Sequence, residues 1–559
     1  VTISIAFFSK PFKDCCCILG VVIVFITLTL PRLVQALTPD EMNYFWAAKS
    51  WLESGQALHF RGSGVVDSSP YLYVLGEAVF LKVFGVTEWA ARLYGVMWGV
   101  LAVIAAYLIA GKIGKSRSAA FMAALLIAVT PAFVQGATIL DVDCTLLMVL
   151  ALLLVGAVII WVEKPGVLTG TILIFATASL LWGRVTTPWI LIFATCWWVH
   201  FTGLPAYVRR WTWLLLGAGV VLFVLSWGLF CYQAHITPAG PFTYTVTGFI
   251  ARLPGSLGFS LKSWLGQFGA LALWFGPLSF LWVIAGSVRF REYMIDRRVV
   301  MVDLLYIPGL FWVVAASIIG VTFGFPKYHL PGALLLTVAS GVILKEHSRL
   351  YGALLIGLAA GFIVQMYGVG DGLYSFRYEL RAFQSGDLIR AGSGLWIWVF
   401  AGILIFLFAD FRKKVSFSSR IAVVVGLALG MNTALAGLQT AARYDTGYNY
   451  GGMGTRAAAD LIKERVSKAR RIIATDEVIF YTGRSGISVV PNSFWSDLKG
   501  LAAVLEDKRT GAFVLSIVCN SVAQVKGIKQ NSAVMGILAR QYIYNRIGTY
   551  DVWIRRGKI

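Results

Sequence analysis

The sequence predicts a polytopic α-helical membrane protein that carries a small α/β domain at its C-terminal end. Three observations predict it. The 559 residues are 58% hydrophobic and only 13% charged, with a mean hydropathy of +0.76, which is far from the composition of a water-soluble globule. Apolar runs long enough to cross a bilayer follow one another with short breaks up to residue 440. From Arg443 onward, short strand-like and helix-like segments alternate instead.

The net charge of +21 does not mark a nucleic-acid binder. Lys and Arg sit in short clusters between apolar runs rather than along one solvated face, which is the pattern of the inside-positive bias. The runs lie near 15–31, 88–110, 118–136, 142–162, 167–183, 186–202, 211–233, 264–288, 299–321, 328–345, 350–369, 394–410 and 420–440, thirteen spans in all. A further run, Tyr71 to Phe84, is short and interrupted by Glu77 and Lys82.

Charge parity decides how to read that run. If it lies in the interface and the N-terminus is cytosolic, the basic breaks at Lys112/Lys115/Arg117, Arg209/Arg210, Arg289/Arg291/Arg297/Arg298, Lys345/Arg349 and Arg412/Lys413/Lys414/Arg420 all fall inside. If it crosses, all of them move outside. The bias selects the first option. Residues 1–440 then form the membrane domain. A first external loop (32–87) carries two interfacial helices, and a soluble extracytoplasmic α/β domain spans 441–559. Lys10 and Lys13 ahead of the first run read as an uncleaved signal anchor, with Val34-Gln35-Ala36 the cleavage-site alternative.

Within the C-terminal region the pattern predicts a helix over 454–468, a strand over 471–480, a short strand at 487–490 and a helix over 494–507. A strand over 512–518, a helix over 532–542 and a strand over 547–554 follow. Gly451-Gly452-Met453-Gly454 reads as a linker and helix start, since no nucleotide fingerprint accompanies it. The seven cysteines imply neither a disulfide framework nor metal-ligand spacing, and Cys15-Cys16-Cys17 reads as apolar helix filler rather than an acylation site.

The candidate chemistry lies in the breaks assigned to the external side. Pro39 suits the first turn of a helix running through Trp51, with Asp40 and Glu41 at its N-terminal end, where the helix dipole favours anions. Simple capping is the plain reading of that pair. Asp141 and Asp143 occupy the next such corner; capping is preferred for Asp143 and a site role for Asp141. Arg184, Arg252, Lys262 and Lys327-Tyr328-His329 place positive charge where orientation does not call for it. Phosphate binding explains that placement, with snorkelling to the interface as the competing reading.

Four stretches, in order, resemble a known family. They are Thr38-Pro39-Asp40-Glu41-x-x-Tyr44; Asp67-Ser68-Ser69-Pro70-Tyr71-Leu72-Tyr73 with Phe84-Gly85-x-x-Glu88-x-Ala90-Ala91-Arg92-Leu93; Ile139-Leu140-Asp141-Val142; and Phe325-Pro326-Lys327-Tyr328-His329-Leu330-Pro331. Together they are similar to the signature of GT-C fold polyprenyl-phosphate-sugar glycosyltransferases, which include protein O-mannosyltransferases and lipid A aminoarabinose transferases. The resemblance implies a GT-C type membrane domain and inverting sugar transfer from an undecaprenyl- or dolichyl-phosphate carrier to a glycan, lipid or protein acceptor.

It implies Asp40, with Glu41 and Asp141, as the catalytic acids, Asp40 being the general base. Donor binding falls to Arg184, Arg252, Lys327, Tyr328 and His329, with Asp67 and Tyr71 in the first loop. Asp67 is also the candidate ligand for a divalent cation, which some relatives bind; no other cofactor is implied. Ser68 stands where many relatives have a lysine, removing one expected phosphate contact. The expected location is the plasma membrane of a bacterium or archaeon, with the active site and C-terminus extracytoplasmic. The competing class is a transporter or flippase of a lipid-linked glycan, which would place polar groups near the midplane rather than at one face. An inactive relative serving as a scaffold is a third class.

Overall fold

The computed structural model describes residues 6–60, 71–240, 243, 275, 286, 289–295, 299–318, 326–345, 352–357, 359, 423, 454–484, 486–488, 498–516 and 522–556. The chain divides into two compact units, Val1–Leu33 with Trp46–Arg443, and Val34–Phe45 with Tyr444–Ile559. The stretch 34–45, which the sequence assigns to the first external loop, thus groups with the C-terminal domain.

The first unit is helical. Its elements are α1 (Ala6–Thr29), the C-terminal part of α2 (Pro39–Ser54), α3 (Leu72–Phe84), α4 (Glu88–Gly114), α5 (Arg117–Val129), α6 (Pro131–Thr138), α7 (Thr145–Glu163), α8 (Val167–Gly183), α9 (Pro188–Phe201), α10 (Ala206–Ala234), α11 (Asp303–Ile318) and α12 (Leu330–Leu344). Among the described residues, the segments Glu88–Gly114, Thr145–Glu163, Ala206–Ala234 and Lys327–Leu344 are long and apolar enough to span a membrane. Every expected run up to residue 233 is mainly helical, as are the described parts of those at 299–321 and 328–345. The runs at 264–288, 350–369, 394–410 and 420–440 lie wholly or mostly outside the described residues. With 13 residues, α3 reaches only ~20 Å, short of the ~30 Å hydrocarbon core.

One expected span is broken. The run at 118–136 forms α5 and α6, bent by 63°. Pro131 disfavours helical backbone at the residue before it, and Thr130 is accordingly extended (φ −73°, ψ 125°).

Burial separates inner from outer helices. α7 and α12 are apolar all round and lie in the bundle interior. Where α12 crosses α5, a Cβ on Gly341 would stand 2.8 Å from the Ala123 backbone, so only glycine permits that approach. α10 instead exposes Val221, Val224, Leu225 and Leu229, a face suited to lipid.

The two ends of this bundle differ chemically. At one end Lys345 Nζ donates to the Gly114 carbonyl (2.7 Å), Lys112 pairs with Glu163 (2.7 Å), and Tyr107 donates to Asp14 (2.9 Å). Arg289 clamps Asp303 there bidentately, at 3.0 and 2.8 Å. The other end holds Asp141, Asp143, Arg184 and Lys327.

The second unit contains α13 (Thr455–Arg465), β1 (Arg471–Ala474), α14 (Asp476–Thr482), β2 (Gly486–Ser488), α15 (Leu498–Glu506), β3 (Thr510–Ser516), α16 (Val522–Gln530), α17 (Ser532–Gln541), β4 (Tyr542–Ile547) and β5 (Tyr550–Arg555). The sheet order is β2-β1-β3-β5-β4. Both neighbours of β1 run parallel to it, whereas the β3/β5 and β5/β4 pairs are antiparallel. Alternate side chains feed opposite faces. Ile472, Ala474, Ala512, Val514 and Val552 pack on α13 and α14, while Ile473, Phe513, Leu515 and Trp553 pack on α15, α16 and α17.

Two sequence expectations fail here. The strand predicted over 471–480 stops at Ala474, because Thr475 takes the N-cap position of α14 and Asp476 and Glu477 fill its first turn. The single strand predicted over 547–554 is a hairpin, reversing at Gly548 (φ +56°) and Thr549, with Ile547 opposite Tyr550. The helix α16 was not anticipated.

The hairpin is locked by one acid. Asp551, fully buried, pairs with Arg546 and with Lys529 (2.7 Å), and accepts from Tyr544 Oη (2.7 Å). Burial alone would raise its carboxyl; the bonds from Lys529, Arg546 and Tyr544 outweigh burial and hold it below the usual carboxylate range. A depressed folded-state value adds stability that is complete above the unfolded value of about 3.9 and is lost as pH falls through the lowered one. Asp551→Asn is expected to cost about 1–3 kcal/mol at pH 7, since its partners stay partly solvated. It should also flatten the acid sensitivity of the domain. Hydrogen exchange of the β5 amides in the full-length protein, followed from pH 7 to pH 3, measures both.

Candidate active site

The site is built on the corner between α6 and α7. Ile139 leaves α6 in extended backbone, and Cys144 is the N-cap residue of α7, with no side-chain cap. Between them Asp141 folds the chain on itself. Its Oδ1 accepts the Asp143 N–H (2.9 Å) and its carbonyl the Cys144 N–H (3.2 Å), the turn a short acidic side chain favours. Thr145 ties the start of α7 to α4 by donating to the Gly95 carbonyl (2.8 Å).

Lys327 arrives from the 3-10 turn Pro326–His329 that leads into α12. Its Nζ lies 2.7 Å from Asp141 Oδ2 and 5.3 Å from the centroid of the Tyr328 ring. Trp312 of α11 holds this turn by donating to the Tyr328 carbonyl (3.1 Å). Arg184, the residue at which α8 ends, brings Nε to 3.3 Å from Asp143 Oδ1. Asp141, Asp143, Lys327 and His329 are each under 5% exposed, and Tyr328 lies within electrostatic reach of both acids and both cations.

The result is two ion pairs on acids two residues apart, buried at one end of the bundle. Burial pushes the Asp143 carboxyl up; Arg184, and more weakly Lys327, oppose that, while Asp141 adds to it. The four charges cancel, so the cluster holds no spare positive charge while both pairs are closed. An anion that drew Lys327 or Arg184 from its acid would leave that carboxylate free for a proton or a hydroxyl. Removing one partner of such a pair instead strands a buried charge, at ~3–5 kcal/mol.

The structure therefore brings together Asp141, Arg184, Lys327, Tyr328 and His329 among the residues read from the sequence. Asp143, read there as a cap, belongs with them: its carboxylate faces Arg184, and the α7 N-cap position is held by Cys144 without it. Gln135 of α6 is fully buried, and its amide has no hydrogen-bond partner among the described residues; the sequence assigned it no role.

Tyr71 is fully buried in an aromatic cluster with Trp51 (5.9 Å), Phe230 (5.4 Å) and Trp227 (6.3 Å). Trp182, two residues before Arg184, joins the same cluster. Asp67 and Arg252 lie outside the described residues.

In the second unit, Asp40 occupies the first turn of α2, and its side chain is not among those described. Glu41 is fully buried in a capping box. Its Oε2 accepts the Thr38 N–H (2.8 Å) while its own N–H donates to Thr38 Oγ1 (3.4 Å). Among the described residues no three His, Cys, Asp or Glu side chains converge to hold a metal.

The fold is similar to that of solved GT-C glycosyltransferases. Over 97% of the chain it superposes on 98% of ArnT from Cupriavidus metallidurans bound to undecaprenyl phosphate, with a TM-score of 0.56 at 14% identity. The Archaeoglobus fulgidus oligosaccharyltransferase in its apo form aligns over 99% of this chain and 75% of its own, with a TM-score of 0.50 at 12% identity. More particularly, residues 68–227 match the family model of dolichyl-phosphate-mannose-protein mannosyltransferase. No curated protein matches the sequence significantly.

Proposed function

We propose that the chain is an inverting glycosyltransferase that moves a sugar from a polyprenyl phosphate carrier to a hydroxyl or phosphate acceptor at the extracytoplasmic face of the membrane. The observation that carries this reading is the pair of buried ion pairs, Asp141 with Lys327 and Asp143 with Arg184, at one end of the bundle. Cations held ready but neutralised suit a donor whose negative charge grows as it leaves. In the proposed step an acceptor oxygen attacks the anomeric carbon, the bond from that carbon to the phosphate oxygen breaks, and polyprenyl phosphate departs. Asp40 takes the acceptor proton. Lys327, Arg184 and Arg252 stabilise the phosphate, Tyr328 and His329 line it, and Asp67 and Tyr71 complete the donor site. The capping box gives Glu41 the task of shaping the turn that carries Asp40.

Two features support the extracytoplasmic face. The basic breaks gather at the bundle end opposite the acidic cluster, as the inside-positive bias requires. The two buried ion pairs, Asp141 with Lys327 and Asp143 with Arg184, lie at the ends of α6, α8 and the turn before α12 rather than within those helices, which favours transfer chemistry over transport. The experiment for the reaction is a transfer assay with purified protein and a panel of undecaprenyl-phosphate-linked sugars. The experiment for the topology is labelling of intact cells with a membrane-impermeant maleimide, with Cys15 and Cys16 changed to serine. Asp460→Cys is expected to react and Lys112→Cys to stay protected until the membrane is opened. The reverse pattern would put the site on the cytosolic side.

A further inference from the structure

The turn that carries Asp40 is held by the C-terminal domain. The Leu37 N–H donates to Tyr481 Oη at 2.8 Å, and the Phe45 ring meets the Phe480 ring edge-on with centroids 6.1 Å apart. Phe480 and Tyr481 are consecutive residues of α14. They therefore grip the chain three residues before Asp40 and five residues after it.

Between these two contacts the backbone is closed on itself. Thr38 donates to the Glu41 carboxylate, Glu41 donates back to the Thr38 hydroxyl, and the Met42 N–H reaches the Thr38 carbonyl at 2.9 Å. Pro39 removes one donor and fixes its own φ. Leu37, Thr38, Glu41, Met42 and Phe45 are all under 5% exposed. The Arg456 guanidinium sits over the Tyr481 ring, 5.4 Å from its centroid. The segment is thus tied to α14 on both sides of Asp40 and to itself between those contacts.

We propose that Tyr481, with Phe480, is the positioning residue for Asp40, so that the C-terminal domain takes part in catalysis by placing the base. This rests on the reading of Asp40 as general base. A base displaced by about 1 Å loses up to ~100-fold in rate without a change in substrate affinity. Evidence for the role is therefore a fall in kcat at constant KM.

The test is Tyr481→Phe in the full-length protein, which deletes the hydroxyl and keeps the ring. Backbone amides of the 36–42 segment should exchange faster by hydrogen-exchange mass spectrometry, while undecaprenyl phosphate binds as in wild type. With an undecaprenyl-phosphate-linked sugar as donor, kcat should fall ~10–100-fold and donor KM should stay within about twofold. A merely structural tyrosine would lower the amount of folded protein and leave kcat per binding site unchanged. Phe480→Leu, which keeps the hydroxyl, should shift exchange and kcat in the same direction and serves if Tyr481→Phe does not accumulate. Wild-type exchange and kcat in both variants, with Asp40→Asn inactive, would overturn the positioning role and spare the base. Full transfer by Asp40→Asn would overturn the base and this proposal with it.

Discussion

Lys327→Met is expected to lose sugar transfer by at least about 10²-fold in kcat and to weaken undecaprenyl phosphate binding. On the proposed reading, the ammonium stabilises the charge that builds on the departing phosphate. Removing one preorganised donor of that kind costs ~10²–10³ in rate. The substitution also strands Asp141, which is under 5% exposed and has Lys327 2.7 Å away, so a stability loss of ~3–5 kcal/mol accompanies it. The two effects separate in a double mutant. Asp141→Asn with Lys327→Met removes both charges and should recover most of the thermal stability, because residues in one ion pair couple strongly. It should recover none of the transfer rate. A double mutant that regained both would reduce Lys327 to a structural partner.

Asp40→Asn is the second large effect. The amide keeps the size and polarity of the carboxylate but accepts no proton at neutral pH, so the acceptor hydroxyl attacks unaided. General base removal of this kind is worth ~10²–10⁴-fold in kcat. Donor binding should be unchanged, since Asp40 has no assigned contact with the phosphate. Glu41→Gln provides the internal comparison. Its carboxylate oxygen is committed to the Thr38 N–H, and an amide oxygen accepts the same bond, so its loss of rate should be well below that of Asp40→Asn. Steady-state kinetics of both variants in the purified-protein assay measures the contrast.

The legible part of the fold was the part written in continuous hydrophobicity. Runs such as 142–162 and 211–233 have no competing local signal, and the helices Thr145–Glu163 and Ala206–Ala234 formed close to them. Where a short-range signal interrupted the period, the period misled. Thr130-Pro131 broke one run into two helices, Thr475-Asp476-Glu477 turned the end of an apparent strand into a helix, and Gly548-Thr549 folded another strand back on itself.

At the site, Lys327 and Arg184 stood out because a cation against the orientation bias needs a reason. Asp141 stood out with them. Asp143 did not, because an acid beside a helix N-terminus looks like a cap until a partner from another helix is found, and that partner, Arg184, is distant in sequence. Glu41 shows the local signal at work. The Thr-x-x-Glu spacing of a capping box was present at Thr38 and Glu41, and the box formed. Leu37 and Tyr481 are joined by a hydrogen bond across 444 residues, a distance over which no local pattern operates.

The central claim is that this end of the bundle transfers a sugar off a lipid phosphate. Its most direct test is to give the purified protein in proteoliposomes an undecaprenyl-phosphate-linked sugar of known anomeric configuration together with candidate acceptors. The account predicts that free undecaprenyl phosphate is released in step with a glycosylated product of inverted configuration, and that Lys327→Met abolishes both. Intact donor that merely changes leaflet, with no undecaprenyl phosphate released, would contradict it.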